Sequence, residues 1–256
     1  MDAPSTPGAG TLFLIGGKAN ETLNRFVELS GGKQALIVIL PHASSIAAEV
    51  SAELSKTLLD KGAGQCCIIM PGEDRSLPEG TTAVYLMGGD QARLVEAVSG
   101  KLLADIKQHL ASGGVVAGTS AGSTASSQVM ITGNMEDDAP ETLPLAPGFN
   151  FLPGFTIDTH VGQRNRVPRI RVAVSRLENT IGIGLDEDTA FEIKDAHVSV
   201  HGVGKGCIVM GPVQDQAQED SPTKFVSPSD MDVFVYTAGD KFQLPTSTTS
   251  FPKEAK

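Results

Sequence analysis

The sequence predicts an α/β fold in which a mostly parallel β-sheet carries helices on both faces. The N-terminal half contains short, continuous apolar runs, which are typical of strands buried on both faces. Amphipathic stretches that end at glycine lie between these runs, as expected when a helix connects parallel strands through a right-handed crossover. The predicted strands are residues 11–16, 35–40, 66–70, 83–88 and 114–118, and the predicted helices are residues 46–62 and 90–114.

The second half of the chain differs in its pattern. Alternating apolar and polar residues predict antiparallel strands, and a proline-rich acidic stretch predicts a loop. The sequence contains no linker that would separate two domains. We therefore expect one domain over residues 1–256, with loose tails at about 1–10 and 245–256. The predicted elements are a loop at 135–154, strands at 155–160 and 181–185, a helix around 167–178, strands within 197–211 and 232–242, and a polar surface loop at 212–230. The whole is a Rossmann- or flavodoxin-like sheet with antiparallel strands added at its C-terminal end.

Composition and net charge limit the kinds of partner and cofactor that this chain is expected to bind. The 256 residues carry a net charge of −10 and are 40% hydrophobic, so nucleic acid is not an expected partner. No apolar run approaches the ~20 residues of a membrane span. The three cysteines form neither a disulfide framework nor a zinc pattern, and without H-E-x-x-H or paired Cys/His spacing a metal or cofactor is not predicted. The N-terminus has no signal-peptide pattern, so a cytoplasmic location is expected, with secretion after removal of a leader as the alternative.

The stretch Gly118-Thr119-Ser120-Ala121-Gly122 follows a predicted buried strand. The G-x-S-x-G pattern is typical of a nucleophile elbow, in which a serine occupies a sharp turn between a strand and a helix. Glycines are needed on both sides because a Cβ would collide with the neighbouring strand and helix. The alternative interpretation is an ordinary glycine-rich loop between a strand and a helix.

Other polar groups follow predicted strands, and ligands of open α/β sheets bind beyond the carboxyl ends of strands. Gly88-Gly89-Asp90-Gln91 follows strand 83–88, His160 ends strand 155–160, and Asp186-Glu187-Asp188 follows strand 181–185. A serine nucleophile needs a base, and that base needs a third group that fixes its tautomer. These strand ends therefore predict a serine-based catalytic site.

His160 is the favoured base among the five histidines. His42 follows a proline in a loop, His109 lies in an amphipathic helix, and His197 and His201 share one face of an alternating strand. His160 instead precedes a run of arginines that includes Arg164, Arg166 and Arg169. The run predicts a carboxylate-binding wall, and a solvated basic face is the alternative.

Taken in order, these motifs resemble the cyanophycinases, which belong to the S51 serine peptidases and are relatives of the aspartyl dipeptidases called peptidase E. The similarity spans about residues 11–210. The motifs that carry it are GGDQ (88–91), GTSAG (118–122), IDTH with the R-x-R-x-x-R that follows (157–169) and GIGLDEDTAFEI (182–193), together with LIGG (14–17) and LPHASS (40–45).

The resemblance implies a class I glutamine amidotransferase-like sheet and a Ser-His-Glu triad. Ser120 would be the nucleophile, His160 the general base and Glu187 the carboxylate that orients the histidine. Backbone N–H groups would form the oxyanion hole, where donors of this kind each contribute about 10²–10³ in rate. Those N–H groups belong to Gly88, Gly89 and Ala121.

The resemblance also implies a substrate pocket. The substrate would be cyanophycin, a poly-aspartate with arginine on each side-chain carboxyl, or the β-aspartyl peptides derived from it. Arginine forks bind carboxylates, and Asp158 could accept the substrate's guanidinium. Cyanophycinases usually have glutamine and phenylalanine in a D-Q-H-F pattern where this chain has Thr159 and Val161, which weakens the assignment of substrate more than that of catalysis. The pocket residues would be Gln91, Asp158, Thr159, Arg164, Arg166 and Arg169.

Other functions stay open at this stage. An aspartyl dipeptidase acting on small peptides is one alternative, and a non-catalytic binding homologue is another. A lipase-like α/β-hydrolase would use Ser120, Asp186 and His201 but lacks an HGGG-type oxyanion loop. A glutamine amidotransferase needs cysteine at the elbow, where this chain has serine. By analogy with relatives, a homodimer is expected.

Overall fold

The computed structural model describes residues 4–5, 8–133, 142–211 and 227–246 of the chain. The helices are α1 (Thr22–Leu29), α2 (Ala47–Asp60), α3 (Gln91–Ala97), α4 (Gly100–Ala111), α5 (Ala121–Ala125) and α6 (Val167–Arg176). The strands are β1 (Thr11–Ile15), β2 (Leu36–Leu40), β3 (Gln65–Ile68), β4 (Ala83–Leu86), β5 (Val115–Thr119), β6 (Val129–Ile131), β7 (Leu145–Pro147), β8 (Phe155–Thr159), β9 (Ile181–Leu185), β10 (Thr189–Lys194), β11 (His197–Gly202), β12 (Lys205–Met210), β13 (Asp232–Thr237) and β14 (Lys241–Gln243).

The larger sheet has eight strands in the order β14-β11-β10-β1-β5-β4-β2-β3. The five strands from β1 to β3 in this order pair in parallel, and β10, β11 and β14 add an antiparallel side. The predicted α/β class, with a mostly parallel sheet and added antiparallel strands, is confirmed. Parallel pairing brings the carboxyl ends of β1, β4 and β5 to one edge, where the elbow lies.

The core explains why the buried strands are apolar without interruption. Leu12 and Leu14 of β1 belong to the hydrophobic cluster on one face of the larger sheet. Phe13 and Ile15 of the same strand belong to the cluster on the opposite face. Since successive side chains point to opposite faces, a strand covered on both sides must be apolar at every position.

A second sheet contains four strands in the order β13-β12-β9-β8. β8 and β9 are parallel to each other, and β12 and β13 are antiparallel to their neighbours. The stretch 180–195 therefore divides at residues 186–188, with β9 in the smaller sheet and β10 in the larger one. Asp188 turns the chain there with a φ of 49°, which places the predicted acidic cluster at the junction of the two sheets.

The predicted helix at 90–114 is two helices. Asp90 caps α3 by accepting hydrogen bonds from the N–H groups of Ala92 and Arg93, the arrangement expected of an aspartate at this position. Ser99 is extended and Gly100 has a φ of 56°, so the helix ends and restarts there. The apolar spacing on its own does not reveal this interruption, because it continues on both sides of the break.

The sequence prediction differs from the structure in smaller ways. Helix α1 was not predicted, and the short strands β6 and β7 flank and enter the predicted loop at 135–154. Most of the predicted loop at 212–230, most of the C-terminal tail and part of the N-terminal tail lie outside the described residues. None of the helices in the described ranges combines the length and apolar character needed to cross a bilayer.

Candidate active site

Ser120 lies on a strained turn between β5 and α5. Its φ of 50° and ψ of −114° are uncommon for a residue with a side chain, and such strain concentrates at functional positions. A Cβ on Gly118 would overlap the backbone of Gly122, and a Cβ on Gly122 would overlap the carbonyl oxygen of Leu86. Both glycines are thus required by close backbone packing, as the sequence predicted.

Ser120, His160 and Glu187 form a continuous hydrogen-bonded array. The Ser120 Oγ lies 2.8 Å from Nε2 of His160, and Nδ1 of His160 lies 2.9 Å from Oε1 of Glu187. Because an ionised carboxylate can only accept, Nδ1 carries the proton and donates to Glu187. The lone pair of Nε2 therefore faces the serine hydroxyl, which is the tautomer that a general base requires.

The surroundings of His160 keep it unprotonated. Burial is the main cause that lowers the pKa of His160, and the nearby Arg164 and Arg166 lower it further, while Glu187 opposes them. The pKa of Glu187 is also lowered, first by its hydrogen bond with Lys18 and then by that with His160. At neutral pH the pair therefore consists of a neutral imidazole and a carboxylate.

A cavity of about 240 Å³ opens beside Ser120 and His160. All six residues predicted to bind substrate line it, together with Gly89 and Ala121 from the predicted oxyanion hole. Gly88 and Glu187 do not line it, and Thr124 and Gly133 are additional lining residues. The described lining is Gly89, Gln91, Ser120, Ala121, Thr124, Gly133, Asp158, Thr159, His160, Arg164, Arg166 and Arg169.

Asp158 is paired with an arginine of its own chain. Arg169 donates to Oδ2 of Asp158 through Nε (2.6 Å) and to Oδ1 through Nη2 (2.7 Å), a two-point geometry that fits a guanidinium to a carboxylate. Arg166 approaches the same carboxylate at 3.5 Å and donates to the carbonyl of Thr159 at 2.9 Å. This pairing argues against the expectation that Asp158 accepts the substrate's guanidinium, which stays a prediction, because both carboxylate oxygens already have partners in this chain.

The three arginines differ in exposure. Arg166 and Arg169 are buried, so they do not form a solvated basic face, whereas Arg164 is exposed at the cavity. Among the described lining residues, three guanidinium groups accompany a single carboxylate. Since Asp158 offsets only one of these positive charges, the cavity favours an anionic ligand.

Two backbone amides border the cavity near Ser120. Gly89 has a φ of 142°, and a Cβ there would overlap the carbonyl oxygen of Ala43. Ala121 is the first residue of α5, where the helix leaves its N–H unpaired. Neither amide donates to another described residue. The oxyanion role expected of Gly89 and Ala121 stays a prediction. Gln91, which donates to the carbonyl of Ile131 at 2.9 Å, lines the same cavity.

The structure does not bring together the residues of the lipase-like alternative, Ser120, Asp186 and His201. His201 Nε2 lies 2.8 Å from Glu192, and Asp186 accepts hydrogen bonds from the backbone of Gly162 and Lys205. Within the described ranges, no three His, Cys, Asp or Glu side chains are placed to hold a metal ion. The groups that come together are Ser120, the histidine that follows β8 and the glutamate of the β9–β10 turn.

Sequence reasoning missed three residues of this region, Thr124, Gly133 and Lys18. Thr124 lines the cavity one helical turn after Ser120, a spacing that points to the same side of α5. Lys18 contacts Glu187 with its Nζ 2.7 Å from Oε2, and it directly follows the LIGG stretch at 14–17. The i+4 spacing is a signal that could have identified Thr124, but no local pattern connects Lys18 with Glu187.

An α/β sheet with a strained serine at a strand–helix turn, hydrogen-bonded to a histidine and a glutamate, defines the serine hydrolase class. Residues 12–201 match the model of peptidase family S51. The chain belongs to this family and is a peptidase.

Curated relatives agree with this assignment, and a solved structure shares the fold. The cyanophycinase of Geminocystis herdmanii (strain PCC 6308) is 32% identical over 219 residues, which cover 78% of this chain and 80% of that protein. The cyanophycinase of Trichormus variabilis (strain ATCC 29413 / PCC 7937) is 28% identical over 256 residues, covering 91% and 85%. The crystal structure of a peptidase from an acI-B1 Actinobacterium has the same fold, with a TM-score of 0.65, 19% identity and coverage of 94% of this chain and 99% of that one.

Proposed function

We propose that this peptidase is a serine exopeptidase that hydrolyses cyanophycin to β-Asp-Arg dipeptides. Its similarity to several cyanophycinases supports the choice of substrate. The observation that carries the chemistry is the array Ser120–His160–Glu187, whose serine and histidine line a cavity that also contains three arginines. A nucleophile beside a cationic cavity suits a peptide that presents free carboxylates.

In the acylation step, Oγ of Ser120 attacks the carbonyl carbon of the scissile peptide bond while its proton moves to Nε2 of His160. Glu187 stabilises the imidazolium that forms and holds the ring in place. The carbonyl oxygen becomes negative and accepts hydrogen bonds from the amides of Ala121 and of the Gly88–Gly89 loop. The C–N bond then breaks, His160 returns the proton to the leaving amine, and an ester on Ser120 remains.

In the deacylation step, His160 takes a proton from water as the water oxygen attacks the ester carbon. The tetrahedral intermediate collapses, the C–O bond to Ser120 breaks, and Nε2 returns the proton to Oγ. The products are a free carboxylic acid and the original serine. The pair of charge states in the resting site, neutral imidazole and carboxylate, is the one that both steps need.

Recognition of substrate rests on its carboxylates. Arg164 is exposed at the cavity and can form a two-point contact with a free carboxylate, and Gln91 and Thr159 add polar contacts. Because Asp158 already pairs with Arg169, the arginine side chain of the substrate is expected to lie outside the cavity. A cavity of about 240 Å³ holds one terminal unit, which fits removal of units from a chain end.

An aspartyl dipeptidase is the second candidate. It is favoured by the pairing of Asp158 within the chain, which leaves the cavity suited to an aspartate without an attached arginine. Mass spectrometry of products separates the two functions after incubation with cyanophycin and, in parallel, with α- and β-linked aspartyl dipeptides. Release of β-Asp-Arg supports the first proposal, and cleavage of the dipeptides alone supports the second.

A serine-reactive fluorophosphonate probe distinguishes both functions from a binding homologue. The peptidase should be labelled at Ser120, whereas a protein that only binds the peptide should escape labelling. Two finer parts of the proposal concern assembly and location, namely a homodimer and a cytoplasmic protein. Sedimentation velocity and cell fractionation test them.

A further inference from the structure

Glu187 has a different partner on each carboxylate oxygen. Oε1 accepts from Nδ1 of His160 at 2.9 Å, and Oε2 lies 2.7 Å from Nζ of Lys18. The backbone N–H of Glu187 also donates to the side chain of Gln163. The carboxylate is thus held from the side that faces away from the histidine, by a cation that the triad itself does not include.

The loop that carries Lys18 is closely fitted to the site. A Cβ on Gly17 would overlap the ring of His160, and the N–H of His160 donates to the carbonyl of Gly16 at 2.9 Å. The N–H of Asp188 donates to the carbonyls of Gly17 and Lys18 at 2.8 and 2.9 Å. The β1–α1 loop therefore binds the residue next to Glu187, which brings the base of the Lys18 side chain to a defined position.

We propose that Lys18 is a positioning residue of this peptidase that binds one oxygen of the Glu187 carboxylate and directs the other oxygen to His160. The inference rests on the proposed role of Ser120, His160 and Glu187. An orienting carboxylate with one unoccupied oxygen could rotate away from Nδ1 of the histidine or hydrate. A cation hydrogen-bonded to the second oxygen opposes both changes, as outer partners do at other catalytic side chains.

A direct role in substrate binding does not fit the position of Lys18. Among the described residues that line the cavity, Lys18 is absent, and its Nζ approaches the side of Glu187 remote from His160. The side chain is 72% exposed, so it is screened by salt and its effect is moderate. A positioning role predicts a change in kcat and in the reactivity of Ser120, with KM unchanged.

The test compares Lys18→Met with Lys18→Arg, and uses Lys101→Met as a matched control. Lys101 forms an exposed ion pair with Asp105 in α4, away from the cavity. We expect Lys18→Met to slow fluorophosphonate labelling of Ser120 and to lower kcat by about three- to tenfold, while KM stays within about twofold. Lys18→Arg should recover most of the rate, and Lys101→Met should match the wild type.

The pH dependence gives a second readout that a purely structural role would not move. Without the Lys18 cation, Glu187 binds a proton more readily, since Lys18 lowers its pKa, and the hydrogen-bonded Glu187 and His160 titrate as a coupled pair. Arg164 and Arg166 still lower the pKa of His160. The acidic limb of the labelling rate should therefore move to higher pH in Lys18→Met. Wild-type labelling kinetics and an unmoved limb in Lys18→Met would overturn the inference, as would a rise in KM alone. Absence of labelling in the wild type would instead refute the proposed nucleophile.

Discussion

At the scale of single residues, the site depends on which histidine meets the serine. His160 and His201 both pair with a glutamate, at 2.9 and 2.8 Å respectively. Only His160 also contacts Ser120 among the described residues, because it stands at the end of β8 beside the elbow. His201 lies on β11, and its partner Glu192 binds Arg25 as well, so this second pair is part of an ion-pair network.

We therefore expect Ser120→Ala and His160→Ala to lower kcat by at least about a thousandfold, and Glu187→Gln to lower it substantially. His201→Ala should change kcat less than about twofold, and it serves as the matched control for loss of a glutamate-bound histidine. Steady-state kinetics on β-aspartyl peptides measure these effects, with circular dichroism to show that each variant is folded. An inactive His201→Ala beside an active His160→Ala would restore the lipase-like interpretation.

The expected pH dependence of kcat/KM also follows from the properties of single residues. The pKa of His160 lies below its usual value of 6.5, mainly through burial and then through Arg164 and Arg166, against the opposing effect of Glu187. Because the base works unprotonated, kcat/KM should rise with pH through an apparent pKa below 6.5 and level off above it.

Replacing Arg164 by Gln removes a cation and favours the imidazolium, so the limb in kcat/KM should move to higher pH in Arg164→Gln. The height of the profile should also fall because Arg164 lines the cavity and is proposed to bind the substrate, and the position of the limb is therefore the quantity to compare. Arg75→Gln removes an exposed arginine that pairs with Glu73 and is the control. A limb above pH 6.5 in the wild type, or one that Arg164→Gln leaves in place, contradicts this account.

At the scale of elements, ion pairs of Asp158 hold the end of β8 against the start of α6. The carboxylate stands at the end of the strand, Arg166 precedes the helix and Arg169 lies in its first turn, and all three are at most 8% exposed. A buried ion pair is weak evidence for stability when compared with an apolar replacement, but removal of one partner leaves a buried charge without its counterion. The connection between these elements therefore depends on the charge of one side chain.

Asp158→Asn keeps the shape of the side chain and removes that charge. We expect the free energy of unfolding to fall by about 3–5 kcal/mol, measured by urea denaturation followed by circular dichroism, since the chain has no tryptophan. Glu73→Gln, which breaks the exposed pair with Arg75, should cost at most about 1 kcal/mol. A loss below about 1 kcal/mol in Asp158→Asn would show that Arg166 and Arg169 do not need the carboxylate.

At the scale of the whole molecule, the array of Ser120, His160 and Glu187 spans two sheets. Ser120 follows β5 of the larger sheet, and His160 follows β8 of the smaller one. Glu187 lies in the turn between β9 of the smaller sheet and β10 of the larger sheet. The end of β1 is the common support, since Ile15 accepts the N–H of Ser120 at 3.0 Å and Gly16 accepts that of His160 at 2.9 Å. The array exists only while the two sheets remain packed together.

Reactivity of Ser120 should thus be lost when either sheet comes apart. In a urea titration, we expect fluorophosphonate labelling to disappear at or below the midpoint seen by far-ultraviolet circular dichroism, and not above it. Lysine labelling by an amine-reactive reagent provides a control for effects of urea on the chemistry. Labelling that persists after secondary structure is lost would mean that a local segment suffices to activate the serine.

Much of this molecule follows from local sequence. Continuous apolar runs identified β1, β2, β4 and β5, because a strand covered on both faces needs apolar residues at every position. A run of the same kind identified β3, although this strand lies at the edge of the sheet and is only partly buried. The elbow could be predicted because a sharp turn between a strand and a helix requires residues without a Cβ, and both glycines lie within the five residues Gly118 to Gly122. The helix break at Ser99–Gly100 escaped prediction, since apolar spacing continues on both sides of it.

By itself, the sequence determined the α/β class, the turn that carries Ser120 and the order of motifs that singled out His160 and Glu187. Tertiary structure alone decided that β8 and β9 form a second sheet, that Asp158 pairs with Arg169, and that Lys18 meets Glu187. The physical reason is that periodicity and glycine requirements act between near neighbours in the chain, whereas strand order and ion pairing depend on which surfaces come together when the sheets pack. For charged residues in particular, the spacing along the chain does not indicate which residue will be the ion-pair partner.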